Sequence, residues 1–232
     1  MAIDIFLLAT TAAFIGTIHT LIGPDHYVPF IVMSKASKWS LPKTFAITIF
    51  SGVGHVLGSV LLGFLGIALG IAVTRLENVE STRGQIAAWG LIAFGLVYFI
   101  WGMRRAYKKK HGHHHHFGLG HHHGHAHGPV KKIKRSGKPN LTPWVLFTIF
   151  VFGPCEPLIP IVMYPAATNN MYGVVIVTAV FAACTIITMT LIVLSAVLGI
   201  ARFEVKGAQR FGHAIAGASL LVCGLGMQFL GL

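Results

Sequence analysis

Gly23-Pro24-Asp25-His26-Tyr27-Val28-Pro29-Phe30-Ile31-Val32-Met33 returns in altered form as Gly153-Pro154-Cys155-Glu156-Pro157-Leu158-Ile159-Pro160-Ile161-Val162-Met163. Both copies lie in apolar segments long enough to enter a membrane. In each, a Gly-Pro pair interrupts the helix, because proline has no backbone N–H and its ring clashes with the carbonyl four residues earlier. Ionisable groups stand just beyond each break: Asp25 and His26 in the first copy, Cys155 and Glu156 in the second. Interrupted apolar segments in matching positions of two halves are a sequence pointer to a transport site near the bilayer midplane.

The rest of the chain agrees with a membrane setting. It is 54% hydrophobic and only 10% charged, whereas soluble domains carry about 25% charged residues. A span needs about 20 mostly apolar residues, and six are expected, at roughly 4–33, 44–73, 85–103, 142–166, 172–200 and 210–231. The N-terminal run lacks a basic flank and is too long for a signal core, so it reads as a span. Three cysteines in apolar segments give no disulfide framework.

A net charge of +12 would suggest nucleic acid in a soluble protein, but here its distribution speaks of topology. Of the 18 Lys and Arg residues, all but Arg75 and Arg83 fall in alternate loops: Lys35, Lys38 and Lys43, then Arg104 to Lys138, then Arg202, Lys206 and Arg210. The excess of positive charge puts those loops in the cytoplasm and both termini outside. Arg75, Glu77, Glu80 and Arg83 read as the polar loop between the second and third spans.

The duplication extends further. Phe50-Ser51-Gly52 matches Phe181-Ala182-Ala183, and Arg75-Leu76-Glu77 matches Arg202-Phe203-Glu204. Two halves with an odd number of spans each must be inverted relative to one another. The expected fold is therefore an all-α membrane protein with six transmembrane helices in two inverted three-helix repeats, helices 1 and 4 being broken. Residues 1–103 form the first repeat, 104–141 a basic, His-rich cytoplasmic loop, and 142–232 the second repeat. Gly54 with Gly58, and Gly66 with Gly70, have the four-residue spacing that lets helix backbones approach closely.

His19, Asp25, His26, His55 and Glu156 are the ionisable residues expected at depth. A charge at the membrane centre costs at least about 2.5–3.5 kcal/mol, so such groups pair, line a cavity or bind a ligand. Each has an ordinary reading alone. Asp25 and Glu156 suit a helix first turn, His19 could bond a carbonyl freed by Pro24, and His55 could fill an interface. Cys155 reads as an inert buried thiol and His213 as structural. Five groups converging in one small bundle point instead to a ligand or a proton path. In a regular helix His19 and His26 would be about 10.5 Å apart, too far for one metal at about 2.0–2.1 Å per bond; the Gly23-Pro24 break could shorten that distance. Imidazole and carboxylate donors suit divalent nickel, cobalt or zinc, and the scarcity of thiolates argues against copper(I).

Between the halves lie His111, His113, His114, His115, His116, His121, His122, His123, His125 and His127. This tract has no apolar periodicity, reads as disordered, and has the composition of a metal-collecting segment.

His19-Thr-Leu-Ile-Gly-Pro-Asp25-His26, together with a His-rich loop, resembles the nickel/cobalt transporter families. It looks closest to the urease-accessory nickel permease branch of the lysine-exporter superfamily. The spacer between His19 and Asp25 is one residue longer than in the better-known nickel/cobalt signature. The resemblance implies that His19, Asp25 and His26 form a metal pathway in the inner membrane of a prokaryote. The Pro154-Cys155 break also resembles the thiol–disulfide electron carriers of cytochrome-c biogenesis, but those have one reactive cysteine per half, and Asp25 stands where Cys155 would have its counterpart.

The leading expectation is a secondary transporter whose substrate is Ni2+ or Co2+, with Zn2+ also admissible. It would work in a lipid bilayer without organic cofactor, enzymatic activity or nucleic-acid partner, homo-oligomerisation being left open. The alternatives are an electron carrier using Cys155 and a metal-sensing accessory protein that does not transport. No Walker A motif is present, so the chain itself encodes no ATPase.

Overall fold

The computed structural model describes residues 2–108, 141–168, 170–201 and 208–231. The histidine tract, the Arg202-Phe203-Glu204 match and most of the basic residues of the third loop lie outside the described residues. Those described are helical, with no strand among them. In chain order the helices are α1 (Ala2–Ile22), α2 (Val28–Ala36), α3 (Leu41–Ala68), α4 (Val73–Lys108), α5 (Thr142–Val151), α6 (Leu158–Ala167), α7 (Met171–Ala201) and α8 (Gly212–Leu230). Short 3₁₀ turns, Pro24–His26 and Ala208–Phe211, precede α2 and α8.

Five helices, α1, α3, α4, α7 and α8, are long and apolar enough to cross a membrane. Large apolar side chains such as Phe6, Phe14, Leu61, Tyr172 and Phe229 point outward, as expected where the surrounding medium is lipid. The chain is an all-α membrane protein. The segment expected as the fourth span is two helices, α5 and α6, of 10 residues each. Each is about 15 Å long, half the hydrocarbon thickness of about 30 Å, and Phe152–Pro157 joins them.

Residues 74–84, expected as a loop, lie instead in the first turns of α4. The turn before them is made by Gly70, which adopts a left-handed conformation (φ 62°) that costs glycine nothing. Leu76 then packs on Gly66, where any Cβ would overlap its side chain. Burial of Leu76 and of Glu80 draws this polar stretch into the bundle. At its other end α4 continues to Lys108, beyond the boundary expected at 103.

The helices pair in a regular pattern. α4 lies along α8, α1 along α7, and α3 against both α5 and α6. The α4–α8 pair is in backbone contact. A Cβ on Gly95 would overlap Leu221, one on Gly102 would overlap Ala214, and one on Gly217 would overlap Phe99. Glycine at such seams lets two helix backbones touch, which is how packing replaces the hydrophobic effect in lipid. Gly54 and Gly58 of α3 instead make room for the side chains of Phe147, Val151 and Arg83.

Gly217→Val should therefore force α4 and α8 apart, at a cost of about 1–3 kcal/mol for overpacking, and lower the melting temperature in detergent. Gly63→Ala, where an added Cβ meets nothing within 4 Å, should leave it unchanged.

Candidate metal centre

α1 ends where Pro24 removes an N–H. Gly23 takes an extended conformation (φ −81°, ψ 96°), and Pro24–His26 form a single 3₁₀ turn before α2 restarts. Gly23 N still donates to His19 O at 3.0 Å, and His26 N donates to Gly23 O at 3.1 Å. This tight turn folds His26 back towards its own helix. The His19 and His26 rings, two turns apart in a regular helix, meet edge to face with centroids 4.7 Å apart. A Cβ on Gly23 would come within 2.7 Å of both the His26 ring and the Asp25 carboxylate, so only glycine admits this arrangement.

α3 brings His55 to the same place, its ring 5.0 Å from that of His26. One ring nitrogen from each of His19, His26 and His55 lies within 4.8 Å of the others. His26 and His55 are almost wholly buried.

The tautomers follow from the partners. His26 Nδ1 faces two acceptors, Asp25 Oδ1 at 3.0 Å and Gly23 O at 3.2 Å, so it carries the proton in the neutral ring. His55 Nδ1 donates to Phe150 O at 3.1 Å. In both rings this leaves Nε2 with its lone pair free. Nε2 of His19, His26 and His55 all lie buried with no hydrogen-bond partner among the described residues.

Asp25, itself buried, acts as the orienting carboxylate behind His26, an arrangement typical of metal-ligating imidazoles. Two nitrogens on one ion at about 2.1 Å each are at most about 4.2 Å apart. Three nitrogens that share one ion at that bond length lie only about 3.0–3.6 Å from one another, so rings whose nitrogens lie within 4.8 Å would close by about an ångström or more to share one.

The second break is held differently. Phe150 O, which also accepts from Gly153 N at 3.0 Å, accepts from His55 Nδ1 at 3.1 Å, and Val151 O accepts from Arg83 at 2.9 Å. Cys155 N donates to Glu80 at 3.0 Å, and Glu80 also accepts from Ser59 Oγ at 3.0 Å. Glu80 and Arg83 form an ion pair one turn apart on α4, Glu80 being wholly enclosed. Two residues expected in an external loop are therefore the clamp on the second break. The available sequence signal was a Glu and an Arg three residues apart, matching the helix surface repeat, within a segment polar enough to read as a loop.

A cavity of about 580 Å³ leads to the cluster, lined among others by His19, Asp25, His26, Gln85, Glu156 and Gln228. Glu156, expected beside the imidazoles, is exposed and stands on the cavity wall outside the three-histidine group. Cys155 is a free, fully buried thiol within an apolar cluster, and Cys223 belongs to another. His213 packs against Tyr98 and Trp101 of α4 and shares a 2.8 Å hydrogen bond with Tyr98, apart from the cluster. No protein-family model, no curated protein and no solved structure matches the chain.

Removing one member of the clamp strands its partner. Glu80→Ala should cost about 3–5 kcal/mol, the usual penalty for an uncompensated buried charge, and Glu80→Ala with Arg83→Ala should cost less than the single change. Thermal unfolding in detergent of the two variants tests this.

Proposed function

We propose that this chain is a secondary transporter of a divalent transition metal, with nickel or cobalt as substrate, kin to the nickel/cobalt transporters that its His19…Asp25-His26 motif resembles. The observation that carries the reading is the convergence of three buried imidazole nitrogens without partners, one of them backed by a carboxylate. Buried polar atoms are nearly always satisfied, and a cation held between three buried ring nitrogens would satisfy them together. Nitrogen donors of this kind suit first-row divalent ions. Glu156, on the cavity wall, is placed to attract a cation on its way in rather than to hold it.

In the same reading α5 and α6 together make a sixth span, and the two halves form an inverted repeat. The packing supports this. α1 pairs with α7 while α5 and α6 pair with α3, which is what exchange of the halves requires. Phe181 packs on α1 at Gly16 and His19 as its match Phe50 packs on α5 at Phe147. The charge bias then puts the termini outside and the histidine loop in the cytoplasm of a prokaryotic inner membrane, and the cavity, which lies towards the C-terminal end of α8, opens outward. Rocking of one half against the other would expose the site to each side in turn. The electron-carrier reading has less support, because thiol–disulfide exchange needs an accessible sulfur and Cys155 is enclosed.

Proteoliposomes containing a fluorescent chelator should take up nickel or cobalt in preference to manganese. His26→Ala should abolish the flux in protein that still folds, and normal flux in that variant would refute the site. Asp25→Asn, which leaves the ligands in place but alters their orientation, should weaken metal binding by about 10–100-fold. Protonated imidazole has no lone pair to give, so acidification from neutrality should reduce binding as protons displace the metal.

A further inference from the structure

Threonine and serine inside a helix ordinarily satisfy their hydroxyls on the carbonyl one turn back. Thr17, Thr20, Thr44, Thr148 and Thr178 all do so here, at 2.7–3.1 Å. Four others do not. Thr48 and Ser51 of α3, and Thr185 and Thr190 of α7, are at least nine-tenths buried, yet their hydroxyls have no partner among the described residues.

Their placement is not scattered. Thr44, Thr48, Ser51 and His55 succeed one another at intervals of three or four residues, so they share one face of α3. Thr185 lies one turn beyond Phe181, the residue whose ring sits 6.5 Å from His19, and its hydroxyl faces Gly16 of α1. Gly52 packs on Ile186 and Met189, so α3 and α7 meet at this level. Thr48 and Ser51 thus lie between His55 and the Lys43 end of α3, Thr190 is next to Met189 of the α3–α7 seam, and none of the four residues lines the cavity. Two aromatic rings stand nearby. Phe150 lies 4.7 Å from His55 and 5.9 Å from His26, and Phe30 lies 5.1 Å from Phe150. Both belong to an apolar cluster with Met189 and Val193.

We propose that the metal ion passes between the histidine cluster and the Lys43 end of α3 along the hydroxyls of Thr48, Ser51, Thr185 and Thr190, and that Phe30 and Phe150 form the constriction that closes this route in the present conformation. The proposal rests on the transport reading given above. Neutral hydroxyl oxygens suit such a path, because conduction needs contacts strong enough to replace part of the hydration shell and weak enough to release the ion. Imidazole at one end of the path selects the ion, and hydroxyls along it let the ion go.

The test uses the full chain in proteoliposomes with nickel. Thr48→Val and Ser51→Ala should lower flux by roughly tenfold or more, while nickel affinity measured in detergent stays within about threefold of the parent. Thr178→Val, whose hydroxyl is already bonded within its own helix, should transport normally. Flux unchanged in Thr48→Val and Ser51→Ala would overturn the route. A second measurement does not depend on transport. Thr48→Cys and Ser51→Cys, with the native cysteines replaced by alanine, should react with a small water-soluble thiol reagent, and faster when Phe150→Ala is added. Absence of reaction in both backgrounds would also overturn the route. Labelling together with no nickel flux in the parent protein would leave a hydrated passage but overturn the metal route and the transport reading on which it rests.

Discussion

Within a bilayer every backbone N–H and C=O must find a partner inside the protein, since neither lipid nor bulk water supplies one. Two interrupted helices are therefore the most demanding features of this chain, and much of the bundle is arranged around them. The first break is nearly self-sufficient. Its 3₁₀ turn reuses its own carbonyls, and His26 Nδ1 returns to Gly23 O. The second closes on itself only in part, through Gly153 N to Phe150 O and Leu158 N to Cys155 O, and takes further partners from α3 and α4, through His55, Arg83 and Glu80.

This asymmetry links backbone satisfaction to chemistry. His55 spends its Nδ1 on the carbonyl of Phe150 at the second break, while its ring packs edge to face on that of His26 at the first. One imidazole thus fastens the second break and packs against the first, and a movement of either would alter the geometry of the three-histidine cluster. α4 plays a comparable part. Glu80 and Arg83 hold the second break while neighbouring Gly84 packs on Pro154 and Gln85 lines the cavity. Burying the Glu80–Arg83 pair is not a gain in itself, because desolvation offsets most of the attraction. Its value is that three charge-assisted or neutral hydrogen bonds go to groups that would otherwise be left bare.

Legibility from the sequence varied with the range of the interaction. Apolar length and low charge announced helices in a membrane, and the two Gly-Pro pairs announced the breaks. The approach of His19 to His26 also lay within reach, because a turn of known tightness between residues seven apart leaves few options. The fates of residues 74–84 and of Glu156 did not. Glu80 and Arg83 look like loop residues by polarity, and only the partners at the second break, some 70 residues later, justify burying them. Glu156 matches His26 in the duplicated motif, yet it is exposed on the cavity wall while His26 is buried in the cluster.

The sequence by itself determined the class of the protein, the positions of the interruptions and the inventory of imidazole and carboxylate groups near them, because hydropathy and proline geometry act locally along the chain. Only the tertiary structure decided which of those groups meet. Bringing His55 to His26, Glu80 to Cys155 and Phe150 beneath the histidines depends on how α3, α4 and α5 pack through their glycines. That choice is made by backbone approach between segments far apart in sequence, which no local pattern encodes.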